Sequence, residues 1–92
     1  DGKITDVVDP TPIPEKFAAF GWNVIEIDGH DFVAIERAVG AAKECKGKPT
    51  AIICHTTKGK GVSFMENEAK WHGSAPNKEQ YEQAIAELSA LE

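Results

Sequence analysis

The chain has 92 residues, of which 41% are hydrophobic and 27% are charged, as in an ordinary soluble domain. This composition excludes collagen, low-complexity linkers and strongly disordered tails. No apolar run approaches the roughly 18 residues of a membrane-spanning helix. The net charge of −5 argues against whole-chain binding to nucleic acid or to anionic lipid. The chain starts with neither the basic segment nor the apolar core of a signal peptide.

The charge is distributed unevenly along the chain. The last fifteen residues carry four glutamates against Lys78 alone, whereas five lysines fall within eighteen residues: Lys43, Lys46, Lys48, Lys58 and Lys60. This cluster of lysines is compatible with a local anion site, although the protein as a whole is acidic. Two cysteines are too few for a disulfide scaffold, and Cys54 in its apolar run predicts a buried free thiol in a reducing cytoplasm. No Cys or His spacing predicts a zinc site.

The first half of the chain predicts a short helix followed by a strand. Residues 1–13 are expected to be extended and turn-rich, because three prolines (Pro10, Pro12 and Pro14) forbid a continuous helix there. Pro14 suits the first turn of a helix over residues 15–20, which Gly21 ends. Residues 22–27 alternate and are rich in β-formers, so they predict a strand.

A strand–helix–strand unit is predicted for the middle of the chain. Asp31 is the N-cap candidate of a helix of about fifteen residues that Gly47 stops, with an apolar stripe at Phe32, Val33, Ile35, Ala38, Val39 and Ala42. Thr50–His55 is a continuous apolar run, typical of a strand buried on both faces. This order predicts a βαβ unit with two parallel strands.

The last third contains a long irregular stretch, residues 56–76, and a closing helix. That helix is predicted to start at Asn77, with Gln80 as its capping-box partner and an apolar face at Tyr81, Ala84, Ile85, Leu88 and Leu91. One βαβ unit forms a sheet of two strands, and this chain has too few other elements to cover both faces of that sheet. We therefore expect the chain to be the C-terminal part of a larger α/β domain.

A basic, glycine-rich segment follows the second predicted strand: Lys58-Gly59-Lys60-Gly61. In open α/β sheets, ligands bind at the carboxyl ends of the strands. Lysines supply positive charge and glycines permit close approach of the backbone, so phosphate or diphosphate is the expected ligand. The glycine spacing is not that of a Walker loop. The alternative interpretation is a solvated basic turn.

His72 is the second candidate site residue, within Trp71-His72-Gly73. A protonated histidine donates hydrogen bonds to phosphate, and histidine transfers protons near neutral pH. The alternative is a surface histidine beside a tryptophan packed on the core.

The remaining polar candidates favour structural roles. His30 follows a strand and could face a site, but Asp28 and Asp31 are expected to cap its turn and the next helix. His55 is interpreted as a satisfied structural histidine. Asp6 and Asp9, which precede the proline-rich turn, are interpreted as solvated and not as metal ligands.

Five segments together resemble transketolase in order and spacing: residues 17–22 (FAAFGW), 24–31 (VIEIDGHD), 48–53 (KPTAII), 58–62 (KGKGV) and 71–76 (WHGSAP). Residues 9–14 (DPTPIP) look most like the separately encoded N-terminal subunit of bacterial split transketolases. The resemblance implies a three-layer αβα thiamine-diphosphate-binding fold, of which this chain holds the βαβ unit and the C-terminal helix.

The same resemblance implies an activity and two site residues. Transketolases are cytoplasmic transferases of the pentose phosphate pathway that move a two-carbon ketol unit between sugar phosphates, using thiamine diphosphate with Mg²⁺ or Ca²⁺. By resemblance, His72 reaches the cofactor diphosphate and the donor substrate, and is the catalytic residue. Lys58 contacts the cofactor region, and Lys60 receives no role.

The family's Gly-Asp-Gly…Asn signature, which anchors the metal ion, does not occur in this sequence. Residues 1–92 are therefore interpreted as a C-terminal fragment of the diphosphate-binding domain, without metal ligands. We expect the isolated chain to be inactive, to bind no cofactor tightly, and to self-associate when its partners, the remaining transketolase domains or subunit, are absent. The alternatives are a fragment of another thiamine enzyme, such as deoxyxylulose-phosphate synthase, and a non-catalytic, autonomous α/β module.

Overall fold

The computed structural model describes residues 2–91, so Asp1 and Glu92 lie outside the described part. Its elements are α1 (Ile4–Val7), α2 (Ile13–Ala19), β1 (Asn23–Asp28), α3 (Phe32–Glu44), β2 (Thr50–His55), a 3₁₀ helix (Ala69–His72) and α4 (Lys78–Ser89). The chain divides into two units. We call Pro10–Thr56 the sheet unit, and Asp1–Asp9 together with Thr57–Glu92 the loop–helix unit.

The sheet unit contains the predicted strand–helix–strand arrangement. β1 and β2 pair in parallel, with Asn23 opposite Thr50 and Asp28 opposite His55. Parallel neighbours need a crossover connection, and α3 supplies it. Both α2 and α3 contact the two strands. The βαβ prediction is confirmed, with β2 at its predicted bounds and β1 displaced by one residue.

The ends of the helices in this unit follow their sequence signals. One side-chain oxygen of Asp31 accepts hydrogen bonds from the N–H groups of Val33 and Ala34, at 3.0 and 3.2 Å, so the predicted N-cap of α3 is confirmed. Pro14 lies in the first turn of α2, where its missing N–H costs no helical bond. α3 is shorter than predicted, because it ends at Glu44 before it reaches Gly47.

Burial in the sheet unit is much lower than the sequence predicts. Ala38 and Ala51 are buried, but Phe32 on the predicted apolar stripe is 85% exposed. The interpretation of β2 as a strand buried on both faces is wrong. The prediction of a buried thiol at Cys54 is also wrong, because Cys54 is exposed. The physical reason is that α2 and α3 are the only helices among the described residues of this unit, and they leave much of the two-stranded sheet uncovered.

The loop–helix unit is organised around α4. The side chain of Asn77 accepts from the N–H of Gln80 at 2.8 Å, and Gln80 Oε1 accepts from the N–H of Asn77 at 2.9 Å, which confirms the capping box. The buried apolar residues of this unit are Val62 and Ala84. Glu87 Oε1 accepts from the N–H of Ser63 at 3.2 Å, so the segment after the glycines is bonded to α4.

The sequence predicts neither of two short helices, α1 and the 3₁₀ helix, which lies within the predicted irregular stretch 56–76. α1 is a single turn in which the N–H of Val8 donates to the carbonyl oxygen of Ile4 at 3.0 Å. The expectation of an extended chain over residues 1–13 is therefore wrong at residues 4–7 and at Ile13, since α2 spans Ile13–Ala19 and not residues 15–20 as predicted. The prolines that forbid a helix begin only at Pro10.

Across residues 2–91, each helix is too short or too polar to cross a membrane.

Candidate functional site

The glycine-rich segment after β2 folds back onto the chain that follows it. Gly59 has a φ of +73°, in the left-handed region that favours glycine. A Cβ atom at this position would lie 2.5 Å from the carbonyl oxygen of Met65. The sequence predicts that the glycines let the backbone approach a ligand closely. At Gly59 the group that lies close is instead the backbone of Met65.

Two hydrogen bonds hold the backbone on either side of this glycine. The N–H of Asn67 donates to the carbonyl oxygen of Lys58 at 2.9 Å, and Asn67 adopts a left-handed φ of +60°. The N–H of Gly61 donates to Glu66 Oε1 at 3.0 Å, where the contact is partly buried. The main chain at Lys58 is therefore fastened while its side chain stays exposed.

His72 is the last residue of the 3₁₀ helix. Its neighbour Trp71 connects that helix to residues 58–67, which we call the glycine loop. The indole N–H of Trp71 donates to the carbonyl oxygen of Phe64 at 3.1 Å. The rings of Phe64 and Trp71 meet edge to face, with their centroids 5.6 Å apart. These contacts fix the backbone next to the exposed His72.

Lys58 and His72 line the same open pocket of about 240 Å³, together with Gly2 and Ala69. All four residues belong to the loop–helix unit. The structure therefore brings together the two residues that the sequence analysis singles out. Lys60, two residues from Lys58, is not among the described residues that line this pocket.

The chemistry of this pocket suits an anion. An ammonium group offers three hydrogen-bond donors and a protonated imidazole offers two, and neither offers an acceptor. A group with several charged oxygens, such as a diphosphate, can accept from both side chains at once. Because both side chains are exposed, each contact is worth under about 1 kcal/mol by itself. Within residues 2–91, no cluster of three or more His, Cys, Asp or Glu residues could hold a metal ion.

The other predicted polar residues lie in the sheet unit and have local partners. The carboxylate of Asp28 accepts from the backbone N–H of His30 at 2.9 Å, so the turn-capping interpretation of Asp28 and Asp31 is confirmed. His55 Nε2 lies 3.0 Å from Glu26 Oε1. His55 is therefore partnered as predicted, but 65% of its side chain is exposed.

Several residues around the pocket are missed by the sequence analysis. Gly2 and Ala69 carry no functional group that would single them out. Asn67 carries a weak signal, because asparagine tolerates a left-handed backbone better than most residues. Glu66 carries none, since its bond to Gly61 spans five residues in an irregular segment.

Comparison with known proteins gives a family match over nearly the whole chain. Residues 1–89 match the family model described as "Transketolase, thiamine diphosphate binding domain". The resemblance and the predicted fold class are confirmed by this match. The two-stranded parallel sheet and four α-helices are those of a partial thiamine-diphosphate-binding α/β fold.

Curated relatives are similar over most of the chain. The chain is 42% identical over 88 residues to one subunit of the apulose-4-phosphate transketolase of Phocaeicola vulgatus, covering 96% of this chain and 31% of the relative. It is 41% identical over 88 residues to 6-deoxy-6-sulfo-D-fructose transketolase subunit SqwG of Clostridium sp. (strain MSTE9), covering 96% and 32%. It is 38% identical over 87 residues to human transketolase, covering 87% and 14%. The chain thus spans about a third of the two bacterial relatives and a seventh of the human enzyme.

Proposed function

This chain belongs to the family of transketolase thiamine diphosphate binding domains, and we propose that residues 1–92 form a C-terminal part of such a domain. The complete enzyme would transfer a two-carbon ketol unit between sugar phosphates. The names of the relatives support this proposal over deoxyxylulose-phosphate synthase, since each of those described above is a transketolase or one of its subunits.

The observation that carries the proposal is the shared pocket of Lys58 and His72. We propose that Lys58 donates to the cofactor diphosphate through its ammonium group. His72 would donate to the diphosphate and to a hydroxyl of the donor substrate. An imidazole can donate a proton and can accept one, which suits His72 to acid–base catalysis.

The cofactor and the protein divide the chemistry between them. When bound, thiamine diphosphate supplies the electron sink for carbon–carbon bond cleavage. The part of the protein in this chain binds and orients the diphosphate end. Its glycine loop, fixed at Gly59 and Gly61, keeps Lys58 in place. Mg²⁺ or Ca²⁺ would be held by groups of the remaining enzyme.

The exposed apolar surface supports the rest of the transketolase as the partner of this chain. In the sheet unit, an open groove of about 350 Å³ is lined mainly by apolar residues of β1 and α3, including Ile25, Ile27 and Ala38. Separately, in the loop–helix unit, Tyr81 and Ile85 on α4 are 57% and 46% exposed. Surfaces of this kind mark interaction sites. We propose that the remaining domains or subunit cover them, and that the isolated chain self-associates.

We also propose a cytoplasmic location, which the two free cysteines support because thiols stay reduced in the cytoplasm.

Calorimetric titration with thiamine diphosphate and Mg²⁺ tests the division between this chain and the complete enzyme. We expect no micromolar binding by the isolated chain and no turnover of sugar phosphates, because the chain offers only exposed donors to the diphosphate. Micromolar binding of the cofactor would contradict the proposal that the chain is only a part of the cofactor-binding domain.

Binding of inorganic pyrophosphate tests the two residues. We expect millimolar binding by the unaltered chain, and a Kd about three- to five-fold higher for Lys58→Ala or His72→Ala, as expected for loss of an exposed ionic contact. Lys60→Ala is the matched control, since it removes the same charge two residues away and outside the pocket lining. A change for Lys60→Ala as large as that for Lys58→Ala would indicate a diffuse basic surface and contradict the assigned site.

A further inference from the structure

The 3₁₀ helix that ends at His72 has long backbone hydrogen bonds at both of its ends. The N–H of Trp71 donates to the carbonyl oxygen of Glu68 at 3.3 Å, and the N–H of Gly73 donates to that of Lys70 at 3.4 Å. Both distances lie beyond the usual range for N–H···O bonds. A four-residue 3₁₀ helix with such bonds needs outside contacts to keep one conformation.

Trp71 makes the contacts that this helix needs. Its indole N–H bond to the carbonyl oxygen of Phe64 is, at 3.1 Å, shorter than either of these two end bonds. Its ring meets that of Phe64 edge to face, and Lys70 Nζ lies 5.7 Å from the centroid of the indole. Trp71 is half-buried, whereas His72 beside it is exposed.

Phe64 belongs to the same closed loop as Lys58. The next residue, Met65, lies against Gly59, and the N–H of Met65 donates to the carbonyl oxygen of Val62 at 2.9 Å. Asn67 closes the loop through its bond to Lys58. Trp71 therefore links the helix that carries His72 to the loop that carries Lys58.

The second tryptophan of the chain provides an internal comparison. Trp22 packs edge to face on Phe17, with ring centroids 5.2 Å apart, much as Trp71 packs on Phe64. Among residues 2–91, the indole N–H of Trp22 makes no hydrogen bond like that of Trp71. Both tryptophans thus pack edge to face on a phenylalanine ring. Trp71 differs because its indole N–H also donates a hydrogen bond.

We propose that Trp71 is a positioning residue, whose indole N–H bond to Phe64 holds His72 on the wall of the pocket that Lys58 also lines. This inference rests on the proposed function, because it assigns a task to Trp71 only if His72 meets an anion. Trp71 itself does not line that pocket and acts through its neighbour.

Hydrogen exchange of the two indole N–H groups in the unaltered chain is the first test. We expect exchange at Trp71 to be at least about ten-fold slower than at Trp22, because only the former is hydrogen-bonded. This measurement needs no variant and stands even if a Trp71 variant fails to fold. Equal exchange rates at the two indoles would overturn the proposal.

A double-mutant cycle on pyrophosphate binding is the second test. Trp71→Phe keeps an aromatic ring and removes the indole donor, and we expect it to raise the Kd about three-fold. In the His72→Ala background the same substitution should leave the Kd unchanged, since there is no imidazole left to position. Trp22→Phe is the control and should leave the Kd unchanged in both backgrounds.

The outcomes separate the inference from the proposed function. A three-fold effect of Trp71→Phe in both backgrounds would show a general structural role and overturn the inference. No effect in either background would overturn it as well, while binding at Lys58 and His72 stands. If the unaltered chain binds no pyrophosphate, the proposed function fails and the inference fails with it.

Discussion

The two units of this protein are each stabilised by a different kind of contact. The sheet unit rests on the parallel ladder of β1 and β2 and on the capped helix α3. The loop–helix unit has one α-helix of several turns, α4. Its loop is held by single backbone bonds, as at Lys58–Asn67, and by single bonds between side chains and backbone, as at Gly61–Glu66 and Phe64–Trp71. Regular elements distribute their stability over many equivalent bonds, whereas the candidate site depends on a few specific ones.

The largest expected effect concerns Gly59 in the loop–helix unit. We expect Gly59→Ala to destabilise that unit by about 2 kcal/mol or more, because it adds a Cβ against Met65 to a left-handed backbone. Thermal unfolding followed by the amide signals of each unit measures the effect, and the pyrophosphate-induced shift of Lys58 should be lost. Gly40→Ala is the control, since nothing lies within 4 Å of that position in α3, and it should stabilise by about 0.5–1 kcal/mol. Equal behaviour of the two variants would contradict the assigned loop geometry.

The next effect lies in the sheet unit. A Cβ at Gly29 would lie 2.6 Å from Thr56 Cγ2 and 2.9 Å from the Cβ of Cys54. We expect Gly29→Ala to cost about 1–2 kcal/mol in chemical denaturation, since side-chain movement relieves part of the overlap. A cost under about 0.5 kcal/mol, which is the scatter for neutral surface changes, would indicate that β1 and β2 end further apart than described.

The helix caps test whether the units respond separately. Asp31→Ala and Asn77→Ala should each cost about 1 kcal/mol, because each removes an N-cap acceptor. Hydrogen exchange should show the loss of protection in α3 for the first variant and in α4 for the second. If each variant lowers protection equally throughout the chain, the two units unfold as one and the comparison between them fails.

The smallest effect is expected for the contact between Glu26 and His55. Both side chains are more than half exposed, so Glu26→Gln should change the free energy of unfolding by less than about 0.5 kcal/mol. A denaturation midpoint that falls by more than this would show that the pair carries stability beyond that of an ordinary surface contact.

The sequence predicts the sheet unit better than the loop–helix unit for a physical reason. β2 is a contiguous apolar run after Pro49, and the cap of α3 is set by Asp31 within three residues. Burial is predicted poorly, since the exposure of Cys54 depends on which elements cover the sheet, and the local sequence around Cys54 does not encode that. The candidate site is likewise predicted only in part. Lys58 and His72 are identified by residue type and resemblance, but the bond between Trp71 and Phe64 leaves no periodic signal.

The central claim is that Lys58 and His72 form one anion site. A residue-by-residue NMR titration of the unaltered chain with pyrophosphate tests it most directly. We predict that the signals of both side chains move along one saturation curve, with Gly2 and Ala69, while those of Lys60 and His30 move little. Separate curves for Lys58 and His72, or shifts of equal size at all exposed lysines, would contradict it.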